Sequence, residues 1–256
     1  MLRMRQICLV SSDLDAVERD LAAAFGIEVC HRDTGVANYG LHNFLMPIGN
    51  SFLEVVSPLP GHDDTAGGRF IERRGGDGGY MVIMQCGDFA EARERVTGLG
   101  IRLVLDGGSD TNKGVQLHPK DVPAAIVELR WNANSEARYG PWGPAGDNWQ
   151  RARHEEVVNG MVAAELQTTD DPAALAARWS EVVARPTGTD ADGNPTIELD
   201  DAVLRFVEAT DGRGPGLGGL DLAVADRDHV MAAAAEHGFP VDGDVVTVCG
   251  TRFRLV

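Results

Sequence analysis

The sequence contains few cysteines and no long hydrophobic run. Its four cysteines form neither a CxxC pair nor a dense framework, which argues against a zinc knuckle and is typical of free thiols in a reducing compartment. They are Cys8, Cys30, Cys86 and Cys249. No apolar stretch has the length of a membrane span or of a signal-peptide core. We therefore expect a cytoplasmic protein that is not embedded in a membrane.

Positive charge is also scarce, since 23 Lys and Arg residues stand against 39 Asp and Glu residues and give a net charge of −16. This balance argues against a nucleic acid or an anionic membrane surface as the main partner. No Ser/His/Asp or Cys/His arrangement for nucleophilic catalysis is recognisable. Apolar residues make up 43% of the 256 positions, which is enough for the core of one large domain or two of ordinary size.

Segment 51–58 predicts a buried strand that contains one carboxylate. Alternation places Phe52, Glu54 and Val56 on one face, so both faces are apolar apart from Glu54. A buried carboxylate requires a hydrogen-bonding partner, a proton or a metal ion. Segment 125–131 repeats the pattern around Glu128. Two such strands indicate a duplicated unit.

The order of predicted elements also repeats. Each of the first two units reads β-α-β-β-β, and Asp13 and Asp88 are the predicted N-caps of their helices. In the first unit, the stretch Pro47-Ile48-Gly49-Asn50 predicts the turn of a hairpin. The second unit ends near Trp131. The repetition predicts an architecture assembled from copies of one module.

Residues 132–157 predict a linker, because they are rich in Pro, Gly, Asn and Trp. Its tryptophans, Trp142 and Trp149, either close over a ligand cavity or pack the linker against the first domain. Beyond the linker the modular pattern restarts with some strands trimmed or lost. We therefore predict a first domain at 1–131 and a degenerate second copy at 158–256.

The sequence resembles the vicinal oxygen chelate superfamily in its βαβββ-like units, in the helix start Ser12-Asp13-Leu14-Asp15, and in the strand Phe52-Leu53-Glu54-Val55-Val56-Ser57-Pro58. That superfamily includes glyoxalase I, bleomycin-resistance proteins, methylmalonyl-CoA epimerase and extradiol dioxygenases. The resemblance implies an α+β fold in which tandem βαβββ modules form two vicinal-oxygen-chelate-like domains, the second degenerate and shortened.

The resemblance also implies a divalent metal ion, such as Zn, Ni, Mn or Fe, held on the inner face of paired modules. Gln6, Glu54 and Glu128 occupy three of the four ligand positions, and Met81 stands where a histidine is expected. A thioether is a poor ligand for a hard divalent ion. Two interpretations therefore stay open: an occupied metal site, and a hydrogen-bonded core network inherited from a metal-binding ancestor.

His42 is a reserve ligand or general base in this scheme. Pairing the hairpin about residues 47–50 sets Phe44 opposite Glu54, which would place His42 on the face of Glu54, one diagonal step away. The predicted catalytic residues are accordingly Glu54, Glu128 and His42.

The second copy carries arginine at both glutamate positions, namely Arg205 and Arg254. Metal binding there is therefore not expected. Inward guanidinium groups need carboxylates, supplied either by an anionic ligand or by internal residues such as Glu165 and Asp221. We favour internal salt bridges, because a buried arginine is usually paired within the protein.

Two functional hypotheses follow. The first is a metal-assisted isomerase or lyase acting on a small oxygenated molecule, in which the metal stabilises an oxyanion. Oxygen-dependent dioxygenation is disfavoured, because Gln6 and Met81 supply no histidine. The second is a metal-free protein that binds and sequesters a small molecule, as bleomycin-resistance proteins do. In both cases the partner is a small molecule, and we expect a monomer or a loose homodimer.

Overall fold

The computed structural model describes all residues from Met1 to Val256. The fold is α+β and is built from βαβββ-like modules, as predicted. The helices are α1 (Leu14–Phe25), α2 (Ala66–Arg74), α3 (Phe89–Gly98), α4 (Pro172–Val183) and α5 (Arg227–His237). The strands of the first two modules are β1 (Leu2–Val10), β2 (Leu41–Ile48), β3 (Ser51–Pro58), β4 (Gly78–Cys86), β5 (Leu103–Gly108), β6 (Asn112–Leu117) and β7 (Ile126–Asn132).

The strands of the last two modules include much shorter segments. They are β8 (Val158–Thr168), β9 (Thr187–Thr189), β10 (Pro195–Glu198), β11 (Val203–Glu208), β12 (Gly216–Val224), β13 (Val241–Asp242), β14 (Val245–Val248) and β15 (Thr251–Leu255). No helix in the protein combines the length and the apolar composition needed to cross a bilayer.

Aspartate side chains start the module helices. Asp13 accepts a hydrogen bond from the backbone N–H of Ala16, and Asp88 accepts one from Glu91, so both predicted caps are confirmed. Each such bond satisfies one of the donors that the first helical turn leaves without a partner.

The predicted turn of the first hairpin is partly wrong. The hairpin of β2 and β3 turns at Gly49 and Asn50 alone, because Ile48 pairs with Ser51 and Pro47 lies inside β2. Before this hairpin, an isolated bridge joins His31 to Leu45.

The chain divides into two compact units, and each is discontinuous in sequence. Unit 1 comprises Met1–Gln6, Tyr80–Gly143 and Ala163–Gly218, and unit 2 comprises Ile7–Gly79, Pro144–Val162 and Gly219–Val256. Unit 1 thus holds most of the second and third modules, and unit 2 most of the first and fourth. The predicted domain boundaries, 1–131 and 158–256, follow sequence order instead and stay a prediction.

In unit 1, β4 and β7 run parallel, and β7, β6 and β5 form an antiparallel ladder. One face of this sheet is apolar, with Val82 on β4 and Val127 and Leu129 on β7 fully buried together with Val96 of α3. The third module adds β11, which pairs with β8 and β10.

In unit 2, β2 and β3 form the hairpin, and β15 pairs with β12 and β14. Phe25 at the end of α1 contacts Phe253 of β15, with their ring centroids 4.8 Å apart. Phe52 of β3 meets Trp149 edge to face at the same centroid distance, 4.8 Å. Such aromatic pairs add to the energy of apolar burial in this core.

All four cysteines are free thiols, as the sequence predicts. Burial raises the pKa of Cys30 and of Cys86 to about 11 in each case. These thiols are therefore protonated and poorly nucleophilic at neutral pH.

The turn at Gly49 allows a sharp test of the hairpin. Its φ is +60°, and a Cβ there would stand 2.3 Å from the carbonyl oxygen of Asn159. Gly49→Ala should therefore lower the free energy of unfolding by about 3 kcal/mol, through steric clash as well as left-handed strain. Urea unfolding measures this loss.

Gly61→Ala is the matched control, because Gly61 has a φ of +79° but no other atom lies within 4 Å of the position that a methyl group would occupy there. It should lose only about 1 kcal/mol, the strain of the left-handed conformation alone. Equal losses in the two variants would contradict the close approach of Asn159 to this turn.

Candidate functional site

Glu54 lies on β3 in unit 2 and is 7% exposed. Its Oε1 accepts a hydrogen bond of 2.6 Å from Nδ2 of Asn43 on the neighbouring strand. The Oδ1 of Asn43 in turn accepts a hydrogen bond of 2.8 Å from the backbone N–H of Asp33. The buried carboxylate is therefore part of a hydrogen-bonded chain within its own module.

His42 does not lie on the face of Glu54. The observed register pairs Leu45 with Glu54 and His42 with Ser57, one residue away from the predicted pairing of Phe44 with Glu54. Because side chains alternate between the faces of a strand, a shift of one residue moves His42 to the opposite face. The premise that made it a reserve ligand or general base is wrong.

Gln6 lies on β1 in unit 1 and is 2% exposed. Its Oε1 accepts a hydrogen bond of 2.6 Å from Nε1 of Trp142, which is also buried. The amide oxygen that the resemblance assigns to a metal ion therefore accepts a hydrogen bond from a residue of the linker.

The preceding residue, Arg5, binds the same part of the linker. Its Nη1 and Nη2 donate to the carbonyl oxygens of Arg138 and Gly140 at 2.9 and 2.8 Å. Burial, with a smaller effect of Arg3, lowers the pKa of Arg5 to about 10.

Of the two interpretations of the linker tryptophans, packing is confirmed, since Trp142 is bonded to Gln6 and Trp149 packs on Phe52.

Glu128 lies on β7 in unit 1 and is 6% exposed. Its Oε1 accepts a hydrogen bond of 2.6 Å from Nε of Arg130, and Nη2 of the same guanidinium lies at the same distance, 2.6 Å. Gly114 of β6 leaves room for this pair, because a Cβ there would stand 2.9 Å from the same oxygen. The carboxylate is therefore bent over β6, on the side of β7 away from β4.

Met81 is on β4, where it pairs with Ile126, whereas Ile83 pairs with Glu128. Nowhere in the chain do three or more His, Cys, Asp and Glu side chains come together as metal ligands. One oxygen each of Gln6, Glu54 and Glu128 accepts a short hydrogen bond from a protein donor. Two carboxylates and an amide that each accept from a protein donor, with no histidine among them, are a poor ligand set for Zn, Ni or Fe.

The arginines at the corresponding positions of the second copy are paired internally. Nη2 of Arg205 lies 3.4 Å from Oε2 of Glu165, and both side chains are largely buried in unit 1. In unit 2, Nε of Arg254 lies 3.7 Å from Oδ1 of Asp221. Each pair joins residues in register on parallel strands. Both predicted pairings form, but only Arg205 points inward as predicted, because the side chain of Arg254 is 45% exposed.

Sequence reasoning missed a row of polar side chains beside Glu128. Register places Gln116 opposite Glu128, and Asn112 opposite Asn132, on one face of β6 and β7. Nη1 of Arg130 donates to Oδ1 of Asn112 at 2.9 Å. The alternation Asn112-x-Gly114-x-Gln116 could have revealed this face, since it keeps polar or small residues on one side of a strand.

Removing Arg130 should expose the dependence of Glu128 on its partner. Arg130→Met leaves a buried carboxylate without its cation, and we expect the free energy of unfolding to fall by about 2–3 kcal/mol. This loss is smaller than that expected for a fully buried ion pair, because Arg130 is partly exposed. The double variant Arg130→Met/Glu128→Gln should recover part of the loss. Chemical denaturation measures both.

Arg93→Met is the control, since Arg93 forms an exposed ion pair with Asp106 in the same unit. It should have a much smaller effect. If both single variants lose the same stability, the pair of Glu128 and Arg130 is not a buried structural contact.

The comparisons with known proteins agree with this architecture. The family model described as a glyoxalase-like domain matches residues 7–183. A hypothetical protein from Staphylococcus aureus shares the fold over 100% of this chain and 99% of its own, with a TM-score of 0.69 and 10% identity. No protein of curated function matches the sequence.

Shorter structures also match. A methylmalonyl-CoA epimerase from Streptomyces coelicolor, in complex with 2-nitronate-propionyl-CoA, is 23% identical over 51% of this chain and 97% of its own, with a TM-score of 0.45. The enzyme of that name from Mycobacterium tuberculosis is 20% identical over 50% of this chain and 87% of its own, with a TM-score of 0.44. Because the family model covers most of the sequence, this chain belongs to the glyoxalase-like domain family of the vicinal oxygen chelate superfamily.

Proposed function

We propose that the protein binds a small molecule without a metal ion. The observation that carries this proposal is the hydrogen bonding of the three expected ligands: Gln6 to Trp142, Glu54 to Asn43, and Glu128 to Arg130. Each bond is formed by a residue of the same compact unit. Releasing three buried polar groups to a metal would leave their present donors without acceptors, which is unfavourable.

The proposed ligand surface is the polar face of β6 and β7 in unit 1. There the side-chain amide of Gln116 and the Oε2 of Glu128 have no hydrogen-bond partner within the protein, in contrast to the Oε1 of Glu128. Groups that can donate and accept hydrogen bonds beside a partly exposed Arg130 are suited to orienting an oxygenated small molecule. Membership in the glyoxalase-like domain family supports a small-molecule role at the level of the superfamily.

A metal-assisted isomerase or lyase is the competing hypothesis. It requires Glu128 to coordinate through Oε2 while its Oε1 stays bonded to Arg130, and Gln6 to share its Oε1 between Trp142 and the ion. It also lacks a histidine at Met81. We therefore propose binding in place of metal-assisted chemistry, and the following titration separates the two.

Zinc titration by calorimetry should find no saturable site in the parent protein. Met81→His alone should not create one, because Met81 pairs with Ile126 and Glu128 stays bonded to Arg130. Met81→His/Arg130→Met should bind zinc at least about tenfold more tightly than the parent or either single variant, since it supplies an imidazole and frees a carboxylate.

Zinc binding by the parent at one ion per chain would favour the isomerase or lyase. Equal binding by Met81→His and the double variant would mean that Arg130 does not restrain Glu128. Arg93→Met combined with Met81→His is the matched control, because it removes an arginine from a different, exposed ion pair.

A further inference from the structure

Asn112 and Asn132 face each other at one end of the ladder formed by β6 and β7. Asn112 is half-buried, and Asn132 is 5% exposed. Both belong to unit 1, as does Gly143 in the linker. This end of the polar face takes no part in the expected metal site.

The orientation of the Asn112 amide is fixed by Arg130. Nη1 of Arg130 donates to Oδ1 of Asn112, so the atom on the other side of the amide is the donor Nδ2. Neither Asn112 nor Asn132 has an acceptor for its Nδ2 within the protein, and the Oδ1 of Asn132 is buried without a donor. The two Nδ2 groups are therefore donors that a ligand or a water molecule can satisfy.

Gly143 lies against these two amides. A Cβ on Gly143 would stand 2.6 Å from Nδ2 of Asn112 and 3.0 Å from Nδ2 of Asn132. Both donors therefore lie on the same side of Gly143, where a side chain would cover them. The backbone of Gly143 is not in the left-handed region, so its conformation does not require glycine. The requirement at this position is space.

We propose that Asn112, Asn132 and Gly143 form a cradle for a carbonyl or carboxylate oxygen of the bound ligand. One sp² oxygen has lone pairs for two N–H donors, and the Nδ2 atoms of both amides lie on one side of Gly143. The bond from Arg130 polarises the Asn112 amide and strengthens its N–H as a donor. This inference rests on the proposed binding function and specifies the chemistry that the ligand presents.

The test uses the full-length protein labelled with ¹⁵N-asparagine and two probes, acetate and acetamide, at constant ionic strength. Small fragments bind weakly, so each titration extends to about 100 mM. The side-chain NH₂ signals of Asn112 and Asn132, assigned from Asn112→Asp and Asn132→Asp, should shift together and saturate. A shift with acetate alone identifies a carboxylate site, and a shift with both identifies a site for any carbonyl oxygen.

Gly143→Ala should abolish the saturable shift, because the methyl group occupies the space in front of both amides. Gly107→Ala is the matched control, since a Cβ there meets nothing within 4 Å and the backbone is not left-handed. It should leave the shift unchanged. Asn112→Asp is a second variant that keeps an oxygen for Arg130 but replaces the donor, and acetate should no longer shift Asn132.

The cradle is overturned if neither probe gives a saturable shift in the parent, or if Gly143→Ala binds as the parent does. Either result leaves the metal-free binding function standing, because zinc titration tests that function separately. Conversely, a zinc-binding parent whose amide signals still shift would retain the cradle and overturn the proposed function.

Discussion

A carboxylate inside a β-sheet must have a partner, and this constraint organises the whole molecule. Glu54 and Glu128 are both almost fully buried, and each accepts hydrogen bonds from a residue of its own module, Asn43 or Arg130. A lone charge in such a place would be strongly destabilising. In the second copy the corresponding strand positions carry arginine, and the carboxylates lie on the neighbouring strands. Arg205 pairs there with Glu165, and Arg254 pairs with Asp221.

In unit 1, residues of the linker form hydrogen bonds with buried side chains of β1. Trp142 donates to Gln6, and Arg5 donates to the carbonyl oxygens of two other linker residues. A segment rich in proline and glycine cannot satisfy its own backbone through a helix or a sheet, so buried side chains of β1 do this instead. The same segment positions Gly143 against Asn112 and Asn132. Structural anchoring and the proposed oxygen cradle thus share one stretch of chain.

Much of the fold follows from local sequence patterns. The caps Asp13 and Asp88, the strands around Glu54 and Glu128, and the repeated module are all recognisable because each depends on residues close in sequence. The internal pairing of Arg205 is predictable too, since a buried guanidinium has few alternatives.

Other features depend on contacts that a sequence does not display. Pro47 indicates a turn, but it is accommodated within β2, and the resulting shift of one residue moves His42 to the opposite face. Helix α2 lies in a glycine-rich stretch whose composition indicates a connection between strands. Gly68 is required there, since a Cβ would stand 1.9 Å from the carbonyl oxygen of Asp63.

The candidate site shows the same limit. The resemblance implies that Gln6, Glu54, Met81 and Glu128 occupy ligand positions, but side-chain direction decides whether such residues can coordinate an ion. The bend of Glu128 toward Arg130 depends on Gly114, a residue two strands away from Met81. Only the three-dimensional structure reveals that dependence.

The central claim is that the expected metal ligands form hydrogen bonds within the protein and do not bind a metal ion, and it can be tested directly. The measurement is elemental analysis of the protein after expression with added Zn, Ni, Mn and Fe and purification without chelator or nickel affinity. We predict divalent metal far below one ion per chain and no change in Tm on adding a chelator. One tightly held ion per chain, lost in Glu54→Gln/Glu128→Gln and retained in Arg205→Gln/Arg254→Gln, would contradict this claim.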